Sequence, residues 1–254
     1  MKAFLIALSI APVALWAQLA TPQIGFMQDS GNALRPVYGI AGNFVLGDSA
    51  AAGVQAASFS GSFGMLKTAS TLIVIDRQGQ VVASQDAPAG AALFAFSRTG
   101  APALAYLPDA NVLLQWSDGV FQQVPLVFAT TVLSIASVDA EQAALITQRD
   151  DGLWDVRIQL STGEVLSQTL LLGMTAPALM LATGELIYGD ANGIVVRKPN
   201  GVEKHIDAQL PLTFAFQQIG GGWIQVRDLA TQQQYALRLT EGKEQFYALP
   251  GADQ

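Results

Sequence analysis

The segments TLIVIDRQGQVVAS (71–84), NVLLQWSDGVFQQV (111–124), VRIQLSTGEVLSQ (156–168), IVVRKPNGVEKHI (194–206) and ALRLTEGKEQFYAL (236–249) share one layout. An alternating or β-branched run meets a polar residue and a glycine, and a second alternating run leaves. Each reads as a β-hairpin with glycine where positive φ is needed. The glycines are Gly79, Gly119, Gly163, Gly201 and Gly242, spaced 40, 44, 38 and 41 residues apart. A period near 40 residues marks a repeat architecture.

Two more columns recur with the same period. Asp109, Asp151, Asp190 and Asp228 are spaced 42, 39 and 38 residues apart. Phe94-Ala95-Phe96 returns as Phe214-Ala215-Phe216, with Leu133-Ser134-Ile135 between them. Each unit fits four short strands, which in the second unit fall near 91–97, 103–107, 112–116 and 121–124. No helix-period amphipathic segment follows the N-terminal region, whereas a parallel α/β fold needs one per crossover. Four strands in each stretch of about 40 residues is the arithmetic of a β-propeller blade. The expected fold is therefore all-β: a propeller of four-stranded antiparallel blades, five in number, or six if the N-terminal segment builds another.

The outer hairpins also resemble those of secreted bacterial propellers with NHL, YVTN and quinoprotein-like repeats. VIDRQGQVVAS (74–84), RIQLSTGEVLSQ (157–168) and VRDLATQQQY (226–235) carry the resemblance, which spans about residues 54–250. RPVYGIAGNFVLGD (35–48) resembles the lead-in of uncharacterised secreted propellers. The resemblance implies a fold and no chemistry. The tryptophan-docking motif of quinoproteins is complete in no unit, so quinone binding does not carry over.

Residues 1–20, MKAFLIALSIAPVALWAQLA, place one Lys before an apolar run that ends in small residues, the pattern of a secretory signal peptide. Cleavage after Ala17 is expected, and the run is too short for a comfortable membrane span. The organisation read from the sequence is a signal peptide over 1–17, a polar linker over 18–34, and one propeller domain over 35–254. Within that domain 35–48 is a ring-closing strand segment, with 37–45 pairing with the last blade. The location is outside the cytoplasm, periplasmic or extracellular, and the protein is expected to be a monomer.

Composition narrows the chemistry. The 254 residues carry 13 Lys and Arg, 20 Asp and Glu, one His and no Cys, for a net charge of −7. Such a chain lacks the clustered cations of a nucleic-acid surface. Without Cys it has no disulfide, thiolate ligand or Cys nucleophile. At 51% hydrophobic and 13% charged, it is too apolar for disorder.

In a propeller, the links into innermost strands and the turns between second and third strands share one face, the common ligand face. Asp109, Asp151, Asp190 and Asp228 fall there, as do Asp86 and Asp207 in two of the links. These six are the ligand-face candidates. An acidic ring would suit a cation or a basic partner. The plainer reading is that Asp favours tight turns by bonding nearby backbone N–H groups. The innermost strands, near 54–60, 91–97, 132–138, 178–182 and 212–218, contain no charged residue or His. Propeller glycosidases need paired carboxylates at defined separation, and only Asp86 and Asp207 approach such a pair.

His205 lies on an outer strand where exposure is expected. Gly220-Gly221-Gly222 reads as a hairpin turn, and Trp116, Trp154 and Trp223 read as packing between blades. No catalytic residue, metal site or cofactor is expected. The leading function is a non-catalytic exported binding propeller, taking a protein or small molecule at the channel face. The alternatives are a hydrolase or lyase acting on a saccharide or other small polar substrate, and a structural cell-surface protein.

Overall fold

The computed structural model describes residues 22–126, 130–240 and 244–250. The expected signal peptide over 1–17 and the expected Gly242 turn lie outside the described residues. A three-stranded antiparallel sheet comes first: β1 (Gln23–Gln28), β2 (Leu34–Ile40) and β3 (Asn43–Leu46). Five four-strand antiparallel meanders follow. The first is β4 (Ala56–Phe59), β5 (Phe63–Lys67), β6 (Thr71–Asp76) and β7 (Val81–Asp86). The second is β8 (Leu93–Phe96), β9 (Ala103–Leu107), β10 (Val112–Ser117) and β11 (Val120–Val124). The third is β12 (Thr131–Ser137), β13 (Gln142–Arg149), β14 (Gly152–Gln159) and β15 (Val165–Leu171). The fourth is β16 (Ala178–Met180), β17 (Leu186–Asp190), β18 (Gly193–Arg197) and β19 (Glu203–Asp207). The fifth is β20 (Phe214–Gly220), β21 (Trp223–Asp228), β22 (Gln234–Arg238) and β23 (Gln245–Ala248).

The fold is an all-β propeller with four-stranded antiparallel meanders, but the blade count is corrected. Backbone hydrogen bonds make four propeller sheets, not five or six: three of four strands and one of eight. The eight-stranded sheet fuses the last meander to the first, because β20 and β4 run parallel and pair at Ile219↔Phe59. The first strands β4, β8, β12, β16 and β20 pack against one another in that order, and β20 returns to β4. Their side chains wall a central cavity of about 200 Å³.

Strand periodicity explains the core. Successive side chains point to opposite faces, so each meander feeds two interfaces. On β8, Phe94 and Phe96 pack toward the first meander, while Ala95 packs toward the third. The same alternation builds apolar layers between the third and fourth, and the fourth and fifth, meanders. The outer strand β7, at the rim of the first meander, is almost wholly exposed, Val81 and Val82 included.

The outer hairpin turns follow the glycine column. Gly79, Gly119, Gly163 and Gly201 have φ of 79°, 81°, 70° and 85° and sit between third and fourth strands.

The N-terminal region differs from the sequence reading. The stretch expected to be a polar linker contains β1, whose Met27 is buried. β2 and β3 hydrogen-bond within their own sheet rather than to the fifth meander. They meet that meander through side chains: Phe44 stands edge-on to Trp223 at 5.5 Å and to Tyr247 at 5.7 Å. The sheet is wedged between the fifth and first meanders, with one apolar cluster on each side. A buried amide network fixes the wedge. Gln234 Nε2 donates to the Gln28 carbonyl at 2.9 Å, and Gln225 Nε2 donates to Gln234 Oε1 at 2.5 Å. Gln28 Nε2 donates to Asn32 Oδ1 at 2.8 Å and to the Val54 carbonyl. Burying an amide is costly unless it is bonded, so this network favours one seating of β1.

Candidate functional site

The central cavity is walled by Ala, Ser, Leu, Ile, Phe, Pro and Gln side chains from all five first strands. Its polar residues are Ser58, Ser134, Gln217 and Gln218, and none of its lining is ionisable. Ser134 Oγ is already engaged, accepting from the Met180 backbone N–H at 3.0 Å. Phe94 is buried, whereas Phe214 and Phe216 are only half-buried and stand edge-on to each other at 5.2 Å. Ala215 and Phe216 both line the cavity.

The acidic column occupies the turns between second and third strands, on one face of the ring. Three of the four bond within their own turns. Asp228 accepts from the backbone N–H groups of Ala230 and Thr231 and from the Thr231 hydroxyl at 2.6 Å. The Thr231 bond, with those from the two backbone N–H groups, outweighs burial and holds its carboxyl below the ordinary 3.8. Asp190 accepts from the N–H groups of Asn192 and Gly193 at 2.8 and 2.9 Å. Asp151 accepts from Trp154 Nε1 at 2.8 Å. Asp109 Oδ2 fills the space that a side chain at Gly90 would need. The backbone bonds of Asp190 and Asp228 are those that make Asp a turn residue.

The six candidates therefore do not converge. Asp86 and Asp207 end the outermost strands β7 and β19 and are exposed. Asp109 lines a recess of about 650 Å³ with Tyr106, Arg149 and Asp150. Asp207 lines a separate groove of about 740 Å³ between β19 and β23. Asp86, Asp151, Asp190 and Asp228 line neither. Among the described residues, no group of three or more His, Asp or Glu side chains is placed to hold a metal ion.

His205 is exposed, as expected, but has a neighbour that the sequence did not announce. Its Nδ1 lies 3.4 Å from Asp190 Oδ2, because β19 runs beside β18 and returns to the turn that Asp190 caps. Tyr188, on the same meander, donates to Glu203 Oε1 at 3.0 Å. Burial and that carboxylate push its phenol up to about 12, so it stays a proton donor near neutral pH.

The glycine triplet closes the β20–β21 hairpin, and Trp116 meets Phe63 edge-on at 5.0 Å between the first and second meanders. Trp154 packs against the apolar layer between the second and third meanders and also carries Arg149 over its ring at 4.6 Å.

Solved structures share this shape. A chain in the crystal structure of a nidogen/laminin complex superposes with a TM-score of 0.57 at 16% identity, covering 89% of this chain and 92% of that one. The WD40 β-propeller domain of Doa1 gives 0.52 at 12% identity, covering 81% and 86%. At these identities the likeness establishes the propeller fold alone. No protein-family model and no curated protein sequence matches the chain.

Proposed function

We propose that the protein is an exported, non-catalytic binding propeller. One observation carries the reading: the six candidate carboxylates are dispersed over separate turns and rims, while the cavity wall holds no ionisable group. Acid–base catalysis needs a donor and an acceptor placed around one reacting centre. A rigid ring with grooves between its meanders supplies binding surface without that arrangement. The nidogen/laminin structure, itself a complex between proteins, is in keeping with such use. Export rests on the signal pattern of residues 1–17.

The test uses the chain lacking residues 1–17, its Asp86→Asn/Asp207→Asn double variant, and a set of nitrophenyl glycosides. Neither protein should release nitrophenol above the blank. Release by the wild type that the double variant loses would replace this reading with the saccharide hydrolase. Export is checked separately by sequencing the N-terminus of native protein, with a start at Gln18 expected and a start at Met1 overturning it.

A further inference from the structure

On the face opposite the Asp column, one cleft gathers positive charge. It has a volume of about 450 Å³ and opens between the third and fourth meanders. Its rim comes from first-to-second and third-to-fourth strand turns, which a meander places on the side away from the Asp column. β14 directs Asp155 and Arg157 toward the fourth meander, and β18 ends on Arg197 facing them. Arg98 reaches in from the second meander, its Nε donating to the Ala182 carbonyl at 3.4 Å.

Three guanidinium groups thus line the cleft with one carboxylate, in a chain whose net charge is −7. Asp155 pairs with Arg157 through Oδ2, which accepts from Nε at 3.1 Å and Nη2 at 2.8 Å, while its Oδ1 is buried without a hydrogen-bond partner among the described residues. Arg98 and Arg197 have no carboxylate within ion-pair distance among the described residues. Met180 and Leu186 give the cleft an apolar floor. Guanidinium forks match oxyanions in shape and hydrogen-bond direction. A recess of this volume fits a small organic ligand.

We infer that this cleft binds a small organic anion, with a carboxylate or phosphate against Arg98 and Arg197 and an apolar body on Met180 and Leu186. The inference rests on the reading of the chain as a binding protein and assigns it a site. Benzoate, phenyl phosphate and neutral benzyl alcohol are the probes, titrated at millimolar concentration and followed by ligand-observed NMR. Benzoate and phenyl phosphate are the two arms that separate a carboxylate from a phosphate ligand.

At least one anion should bind saturably, and benzyl alcohol should not. Raising the salt concentration should weaken the interaction. Arg98→Gln, at an exposed turn, should weaken it about tenfold or more, as should Arg197→Gln. A circular dichroism melt of each variant confirms that it is folded. Equal binding of the alcohol, absence of saturable anion binding, or unchanged affinity in both folded variants overturns the site, leaving a binding role elsewhere intact. Turnover of nitrophenyl glycosides would overturn the binding reading instead, without touching the anion result.

Discussion

Lys67 is fully buried, and among the described residues its ammonium bonds only backbone carbonyls, donating to Thr68 O at 2.5 Å and Ala69 O at 3.4 Å. Burial holds it below its ordinary 10.5. The unfolded chain therefore binds this proton more tightly than the folded one. Stability should climb as pH rises through the window between the folded value and 10.5. Thermal midpoints from neutral to alkaline pH should show that rise, and Lys67→Met should flatten it; an equal slope in the variant would refute the assignment. At the acid end the slope has the same sign. Asp228 is depressed by the Thr231 hydroxyl and the N–H groups of Ala230 and Thr231, against burial. For Asp29 burial acts upward, and hydrogen bonds from Arg35, Ala33 and Gly31 outweigh it. Their contribution is present above 3.8 and is lost as pH falls through the folded values below it. Asp228→Asn should shrink the fall in melting temperature between pH ~5 and ~2. Lys67 could not be singled out beforehand, because one Lys in an apolar strand looks like any edge residue until its burial is seen.

At the scale of the element, the outer turns give a matched comparison. Gly163 and Gly119 both have positive φ, but a Cβ on Gly163 would run into the Pro125 carbonyl oxygen, while one on Gly119 meets nothing within 4 Å. Gly119→Ala should cost about 1 kcal/mol from backbone strain. Gly163→Ala adds a backbone clash and should cost clearly more, about 2 kcal/mol or above. Urea titrations decide it, and equal losses would show that the Pro125 segment gives way. The sequence marked the glycine positions because a hairpin demands positive φ locally. It could not show Pro125 arriving from another link, which is a tertiary fact. The large-small-large triplets behave likewise. Alternation sends Phe94 and Ala95 to opposite interfaces, yet Phe94 is buried and Phe214 only half-buried. A strand pattern fixes sidedness and leaves depth to the neighbours. The cationic cleft was hidden for the same reason: Arg98, Arg157 and Arg197 belong to three different units, and no spacing links them.

For the whole molecule, the repeat period made the propeller and its four-strand meanders legible, and the closure was misread. Pairing of β20 with β4 depends on where the first and last units meet, and a linear period carries no signal for it. β1 escaped notice because QIGFMQ lacks clean alternation, and its buried positions are set by the cleft it enters. Removing residues 22–48 should uncover the apolar faces that hold Phe59 and Trp223. The shortened protein should melt lower and self-associate in light scattering. A monomer with an unchanged midpoint would deny the wedge its role. The amide clasp has a kinetic meaning as well. Gln28 and Gln234 are joined across 206 positions of chain. A polypeptide leaving a ribosome or threading through a secretion pore presents its first strands long before their partners exist. Local meanders can form as they emerge, since their contacts are close in sequence. The N-terminal sheet and the inner edge of β4 must wait, uncovered, for the final strands. Completion of the ring is thus timed by release of the C-terminal end, and the waiting interval is when a holding chaperone would matter most.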